Sequence, residues 1–80
     1  MDKSCILNNL DTIIEKSLGH HNYTMNESLT PKDVQGWDSL VNAVIITSVE
    51  KEFGIKFKFS DIISWKNVGE LCSVIQNKLT

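Results

Sequence analysis

Apolar residues in the first part of the chain recur at helical spacing: Ile6, Leu7, Leu10, Ile13, Ile14 and Leu18, with Asp11, Glu15 and Lys16 between them. This predicts a first helix, capped by Asp2 or Ser4 and ended by Gly19. Residues 20–37 show no such period. They are polar and turn-rich and hold the only proline, Pro31. So long a loop needs anchors, and Tyr23, Met25, Leu29 and Val34 are the candidates. A second helix opens at Asp38, runs to about Phe53 and stops at Gly54. Ile55-Lys56-Phe57-Lys58-Phe59 alternates like a strand but has no partner strand in the chain. The expectation is an extended linker whose aromatic rings seal the bottom of a bundle. Ser60 is a candidate cap for a short helix at 61–64. Asn67 with Glu70 three residues on is a relative of the capping box, and Val68, Leu71, Cys72, Ile75 and Leu79 mark the inner face of a last helix. The pattern predicts one all-α domain over residues 1–80: a four-helix bundle with three main helices, a short third helix and a long loop after the first.

The second helix has apolar residues on two sides. At about 100° per residue, Ile45, Ile46, Val49 and Phe53 form one stripe, the natural core face. Leu40, Val41 and Val44 gather roughly opposite, beside Ser48 and Lys51. A bundle of 80 residues cannot easily bury a helix all round, so an exposed apolar patch is expected there.

Composition narrows the function classes. The net charge is −2, from eight lysines, no arginine and ten acidic residues. Without arginine or a lysine cluster, nucleic-acid binding is not expected. Nothing is long and apolar enough to span a bilayer, and the opening residues lack a basic region with a cleavage site. A cytoplasmic address and a monomer are therefore expected, and the sequons at Asn22 and Asn26 read as chance matches. Cys5 and Cys72 have no CxxC spacing, and His20-His21 are adjacent rather than spaced along a helix face, so no metal site is expected. Both cysteines sit in apolar helical patterns and read as buried or half-buried free thiols. No nucleophile, base and orienter emerge from spacing, so the chain does not read as an enzyme.

Three blocks together carry a family resemblance: Gly36-Trp37-Asp38-Ser39-Leu40, then Glu50-Lys51-Glu52-Phe53-Gly54-Ile55, then Asn67-Val68-Gly69-Glu70-Leu71. Asp-Ser-Leu alone is also an ordinary helix start. With the other blocks, the chain length and the helix order, it resembles the acyl carrier proteins over nearly all of its length. The resemblance implies that Ser39 receives 4′-phosphopantetheine from coenzyme A through a phosphopantetheinyl transferase and carries acyl groups as thioesters for partner enzymes. Asp38 is then the helix cap beside it. Trp37 and Trp65 read as structural plugs.

The chain departs from the carriers of fatty acid synthesis, whose second helix is strongly acidic. Val41 and Val44 stand where acids are common, leaving Asp38, Glu50 and Glu52. This implies a specialised carrier whose acyl-loading and acyl-processing enzymes, those of one dedicated pathway, read Leu40, Val41, Val44 and Glu50. Peptidyl and D-alanyl carriers share the architecture and remain cargo variants. The competing reading is an unmodified helical interaction module docking through the same patch. Ile45, Ile46, Val49, Ile62 and Ile63 are apolar enough to line an acyl cavity, but core packing is the default.

Overall fold

In the computed structural model, which describes residues 2–79, four α-helices are joined by one long loop: α1 (Lys3–Leu18), α2 (Ser39–Phe53), α3 (Phe59–Ser64) and α4 (Val68–Leu79). A short 3-10 turn, Pro31–Asp33, interrupts the loop, and the described residues contain no strand. Helix α1 packs against both α2 and α4. Its Ile6, Leu10 and Ile14 are fully buried, as are Ile45 and Val49 of α2 and Val68, Leu71, Cys72 and Ile75 of α4. Each side chain of this kind contributes about 1.5–3 kcal/mol of apolar burial.

The helix ends follow local chemistry. Asp2 caps α1 by accepting from the Cys5 N–H at 2.9 Å, and Gly19 ends it in the left-handed region (φ 81°). Gly54 (φ 66°) ends α2 the same way. Asn67 Oδ1 accepts from the Glu70 N–H at 2.9 Å, while Glu70 Oε1 reaches back to the Lys66 N–H at 2.8 Å. That is the capping-box idea with its return bond displaced by one residue.

The long loop is held by backbone groups as much as by side chains. Leu29 and Val34 are buried, and Tyr23 and Met25 pack partly against the core. Leu29 O accepts from the Val68 N–H at 2.9 Å and Glu27 O from the Gly69 N–H at 2.8 Å. Loop carbonyls thereby satisfy donors that the first turn of α4 would otherwise leave open. The approach is close enough to require glycine: a Cβ on Gly69 would lie 2.8 Å from the Glu27 Cβ. At the other end of the loop, His21 Nε2 meets Asp11 Oδ1 at 2.8 Å and the Tyr23 hydroxyl donates to the same oxygen at 3.1 Å. The adjacent histidines are loop staples, with His20 Nε2 at 2.8 Å from Gln35 O.

Several expectations need correction. Helix α3 starts at Phe59 and is not capped by Ser60; Asp61 Oδ2 reaches back to the Lys58 N–H at 2.9 Å and does that work. The alternation of the linker therefore stops at Lys58. Ile55 is buried and Phe57 half-buried, but Phe59 lies in a helical turn, 76% exposed, and seals nothing. Leu79, the last residue of α4, is exposed rather than part of its inner face. Cys72 is buried as expected, whereas Cys5, one position off the Ile6-Leu10-Ile14 stripe, is exposed.

Candidate functional site

The start of α2 is built by the residues just before it. Gly36 (φ 85°) turns the chain, and Trp37 follows it into the core. The Trp37 Nε1–H donates to Asn42 Oδ1 at 3.1 Å, pinning the loop to the second turn of the helix. Its ring packs on that of Trp65 (centroids 6.2 Å apart, 44° between planes). Both tryptophans are buried and join loop to helix, as their spacing implied. Asp38 is extended and caps α2, its Oδ1 accepting from the Val41 N–H at 2.8 Å.

Ser39 is the first helical residue and is exposed. Its hydroxyl is free for a reason visible in the other helical hydroxyls. Ser17, Thr47 and Ser73 donate to the carbonyl four residues earlier, at 2.8, 2.9 and 3.2 Å. Four residues before Ser39 stands Gln35, which is outside the helix and has its carbonyl paired with His20. Among the described residues no bond to the Ser39 side chain forms. The backbone N–H groups of Ser39 and Leu40 belong to the first turn, which lacks carbonyl partners, so this end of α2 presents donors and a positive dipole to an anion.

Two open grooves meet at Ser39. One, of about 470 Å³, runs past Trp37 and Asn42 to Ile62, Ile63 and Trp65. The other, of about 430 Å³, follows α2 past Ala43 and Ile46 to Glu50. Asn42 and Ile62 belong to both. Of the residues considered for an acyl cavity, Ile45, Ile46 and Val49 are core and Ile63 is 65% exposed at the lip of the first groove.

The patch expected on α2 is carried by fewer residues than anticipated. Leu40 (76% exposed) and Val44 (50%) face outward with Ala43, whereas Val41 is half-buried against the core. Val41 stands one turn before the buried Ile45, about 40° from it on the wheel and about 100° from Leu40, which puts it at the edge of the core stripe. The Glu50 carboxylate accepts from the Phe57 N–H at 2.9 Å and so ties the end of α2 to the linker. Sequence reasoning missed Asn42, Trp65 as a groove wall and Gly69. Only Asn42 carries a local signal, a polar residue one turn inside an apolar stripe.

The chemistry available to the chain itself is small. The described residues hold no group of three His, Cys, Asp or Glu side chains fit to bind a metal. No base lies within hydrogen-bond distance of the Ser39 hydroxyl among them. Burial pushes the Cys72 thiol up to about 11, and the Asp2 carboxylate raises that of Cys5, so neither is a ready thiolate. The arrangement offers an exposed, unpartnered hydroxyl beside the open backbone donors of a helix start.

Comparison with known proteins agrees with that geometry. The family profile described as "Phosphopantetheine attachment site" matches residues 32–75. Among solved structures, the fold is similar to the solution NMR structure of a holo acyl carrier protein from Geobacter metallireducens. The two are 28% identical with a TM-score of 0.85, over 92% of this chain and 85% of that one. No curated protein sequence matches the chain.

Proposed function

Because the chain belongs to the phosphopantetheine attachment site family, a family of non-catalytic carriers, we propose that Ser39 is the residue to which its 4′-phosphopantetheine is joined. The observation that carries this is a free, exposed hydroxyl at the first position of α2, inside the matched segment. The residues fit the group. The Ser39 and Leu40 N–H groups and the helix dipole favour the phosphodiester, and Asp38 fixes the helix start by taking the Val41 N–H. Bound there, phosphopantetheine supplies a flexible arm ending in a thiol that holds acyl groups as thioesters. A phosphopantetheinyl transferase installs it from coenzyme A: the Ser39 oxygen loses its proton and bonds to the phosphorus of the phosphopantetheine half, the pyrophosphate P–O bond breaks, and adenosine 3′,5′-bisphosphate leaves. The protein's own part is to present the hydroxyl and to orient the arm's root between the two grooves.

Incubating the protein with coenzyme A and a broad-specificity transferase, then weighing it intact, tests the assignment. A gain of one phosphopantetheinyl unit that disappears in Ser39→Ala is expected. A gain that survives the substitution puts the arm elsewhere, and no gain leaves an unmodified docking module.

The finer reading is a specialised carrier whose acyl-loading and acyl-processing enzymes grip the outward face of Leu40 and Val44, with Val41 beneath it and Glu50 on the rim of the second groove. Apolar contacts of this kind lengthen the life of a complex more than its encounter rate. Val44→Glu is expected to slow loading by the dedicated enzyme; unchanged kinetics would remove the idea. No helix among the described residues is long and apolar enough to cross a membrane. The unpaired, exposed Cys5 favours a reducing, cytoplasmic address, which cell fractionation would check. The same reading takes the carrier as a monomer, and light scattering would expose a dimer.

A further inference from the structure

Asn42 stands one turn into α2 from Ser39, and its backbone N–H donates to Asp38 O at 2.8 Å. Residues three apart on a helix are surface neighbours, with Cβ atoms about 5–6 Å apart, and helical side chains lean toward the N-terminus. Asn42 accordingly lines both grooves that meet at Ser39. An indole N–H can only donate, so the 3.1 Å bond from Trp37 Nε1 must end on the amide oxygen of Asn42. That bond fixes which way the amide is turned and leaves its NH2 group at the other end. Among the described residues the NH2 group has no acceptor, although Ser39 and Asp38 offer oxygens in the same wall. It also reaches solvent, because the one buried side-chain polar atom without a partner among those residues is the Trp65 indole nitrogen.

The other side-chain donors around the two grooves are spent. Trp37 gives its N–H to Asn42, the Thr47 hydroxyl donates to Ala43 O at 2.9 Å, and the Trp65 N–H is buried. Asp38 and Glu50 are acids, and among the described residues no lysine lines either groove. An anion bonded to the Ser39 oxygen therefore meets one side-chain N–H donor that is both oriented and uncommitted, that of Asn42.

We propose that the Asn42 NH2 group binds a phosphodiester oxygen of the arm on Ser39, with Trp37 holding the amide in that orientation. This rests on Ser39 bearing the arm. An asparagine one turn away has a short reach, which selects the group bonded directly to the serine oxygen over anything farther along. A neutral donor adds to the Ser39 and Leu40 N–H groups without drawing the Asp38 carboxylate off the Val41 N–H, as a lysine there would.

Asn42→Asp keeps an oxygen for Trp37 and removes the donor, so the fold and the Trp37 indole signal are expected to stay. In nitrogen-15-labelled protein the Asn42 NH2 signals are assigned through the residue's own backbone and followed before and after phosphopantetheinylation, each form verified by intact mass. On loading, one NH2 proton is expected to move downfield and to exchange with water about two- to tenfold more slowly, the range of one neutral hydrogen bond. The NH2 signals of Asn8, on α1, stay in place. The phosphorus-31 signal of the diester is expected to shift in loaded Asn42→Asp, and to shift also in Asn42→Ala, which adds no charge. A loaded wild-type chain whose Asn42 NH2 signals do not move overturns this inference alone, and that measurement needs no variant to fold. NH2 signals that move while the phosphorus signal ignores both substitutions place the acceptor elsewhere and overturn it too. A chain that gains no mass at Ser39 overturns the attachment reading and this one with it.

Discussion

The end of the bundle where α1, α2 and α4 meet and the end around Ser39 and α3 are built to opposite rules. In the first, Leu10, Ile14, Val49 and Ile75 are wholly buried and the polar groups at its margin are paired. In the second, Leu40, Phe59 and Ile63 stand in solvent, the Ser39 hydroxyl has no partner, and the Trp65 N–H is buried without one. Helix α3 is six residues long, and the Asp61–Lys78 ion pair (2.8 Å) ties it to α4. Stability is concentrated at one end, and unsatisfied bonding capacity is kept at the other. A carrier needs both, since its scaffold must persist while its cargo end engages one enzyme after another.

The sharpest way to break this contrast is to cut equal volume from each end. Leu10→Ala is expected to destabilise the fold by about 2–5 kcal/mol, read as a shift in urea midpoint. Leu40→Ala should stay within about 0.5 kcal/mol. Equal losses would mean that the second end is also structural. A smaller effect comes from the loop clamp. Gly69→Ala must displace Glu27, and overpacking of this sort costs about 1–3 kcal/mol. Hydrogen exchange at Val68 and Gly69 should quicken in that variant even where the core amides do not. A Cβ added at Gly54 meets no atom within 4 Å, so Gly54→Val is penalised chiefly by its positive φ, and about 1–2 kcal/mol is expected from the same urea measurement. The smallest effect concerns pH. The Asp11 carboxylate raises the pKa of His21 above its ordinary 6.5. The His21–Asp11 contact therefore helps folding fully below the ordinary histidine value and loses that help as pH rises through the raised one. An imidazole titration by NMR should give a value above 6.5 that falls in Asp11→Asn; an unmoved value would discard the staple.

The core end was legible because its signals are local. Ile6, Leu10 and Ile14 state their own period, and Asp2, Gly19, Asp38 and Gly54 mark boundaries within a residue or two of where they act. Ser39 was legible for the same reason, since a helix start and its hydroxyl are adjacent in sequence. What escaped depends on contacts across the chain. Gly69 is silent until Glu27 lies over it, and Phe59 looks buried until Asp61 starts α3 early. The orphan nitrogen of Trp65 is a property of its surroundings and has no sequence signature.

The freedom of the hydroxyl at position 39 is a matter of register. One residue inserted after Asp38 would swing that oxygen about 100° around the axis and advance it about 1.5 Å. If Ser39 is the attachment point we propose, a transferase docked on the same helix would then miss its acceptor, and an arm fixed there would leave the helix in a different direction.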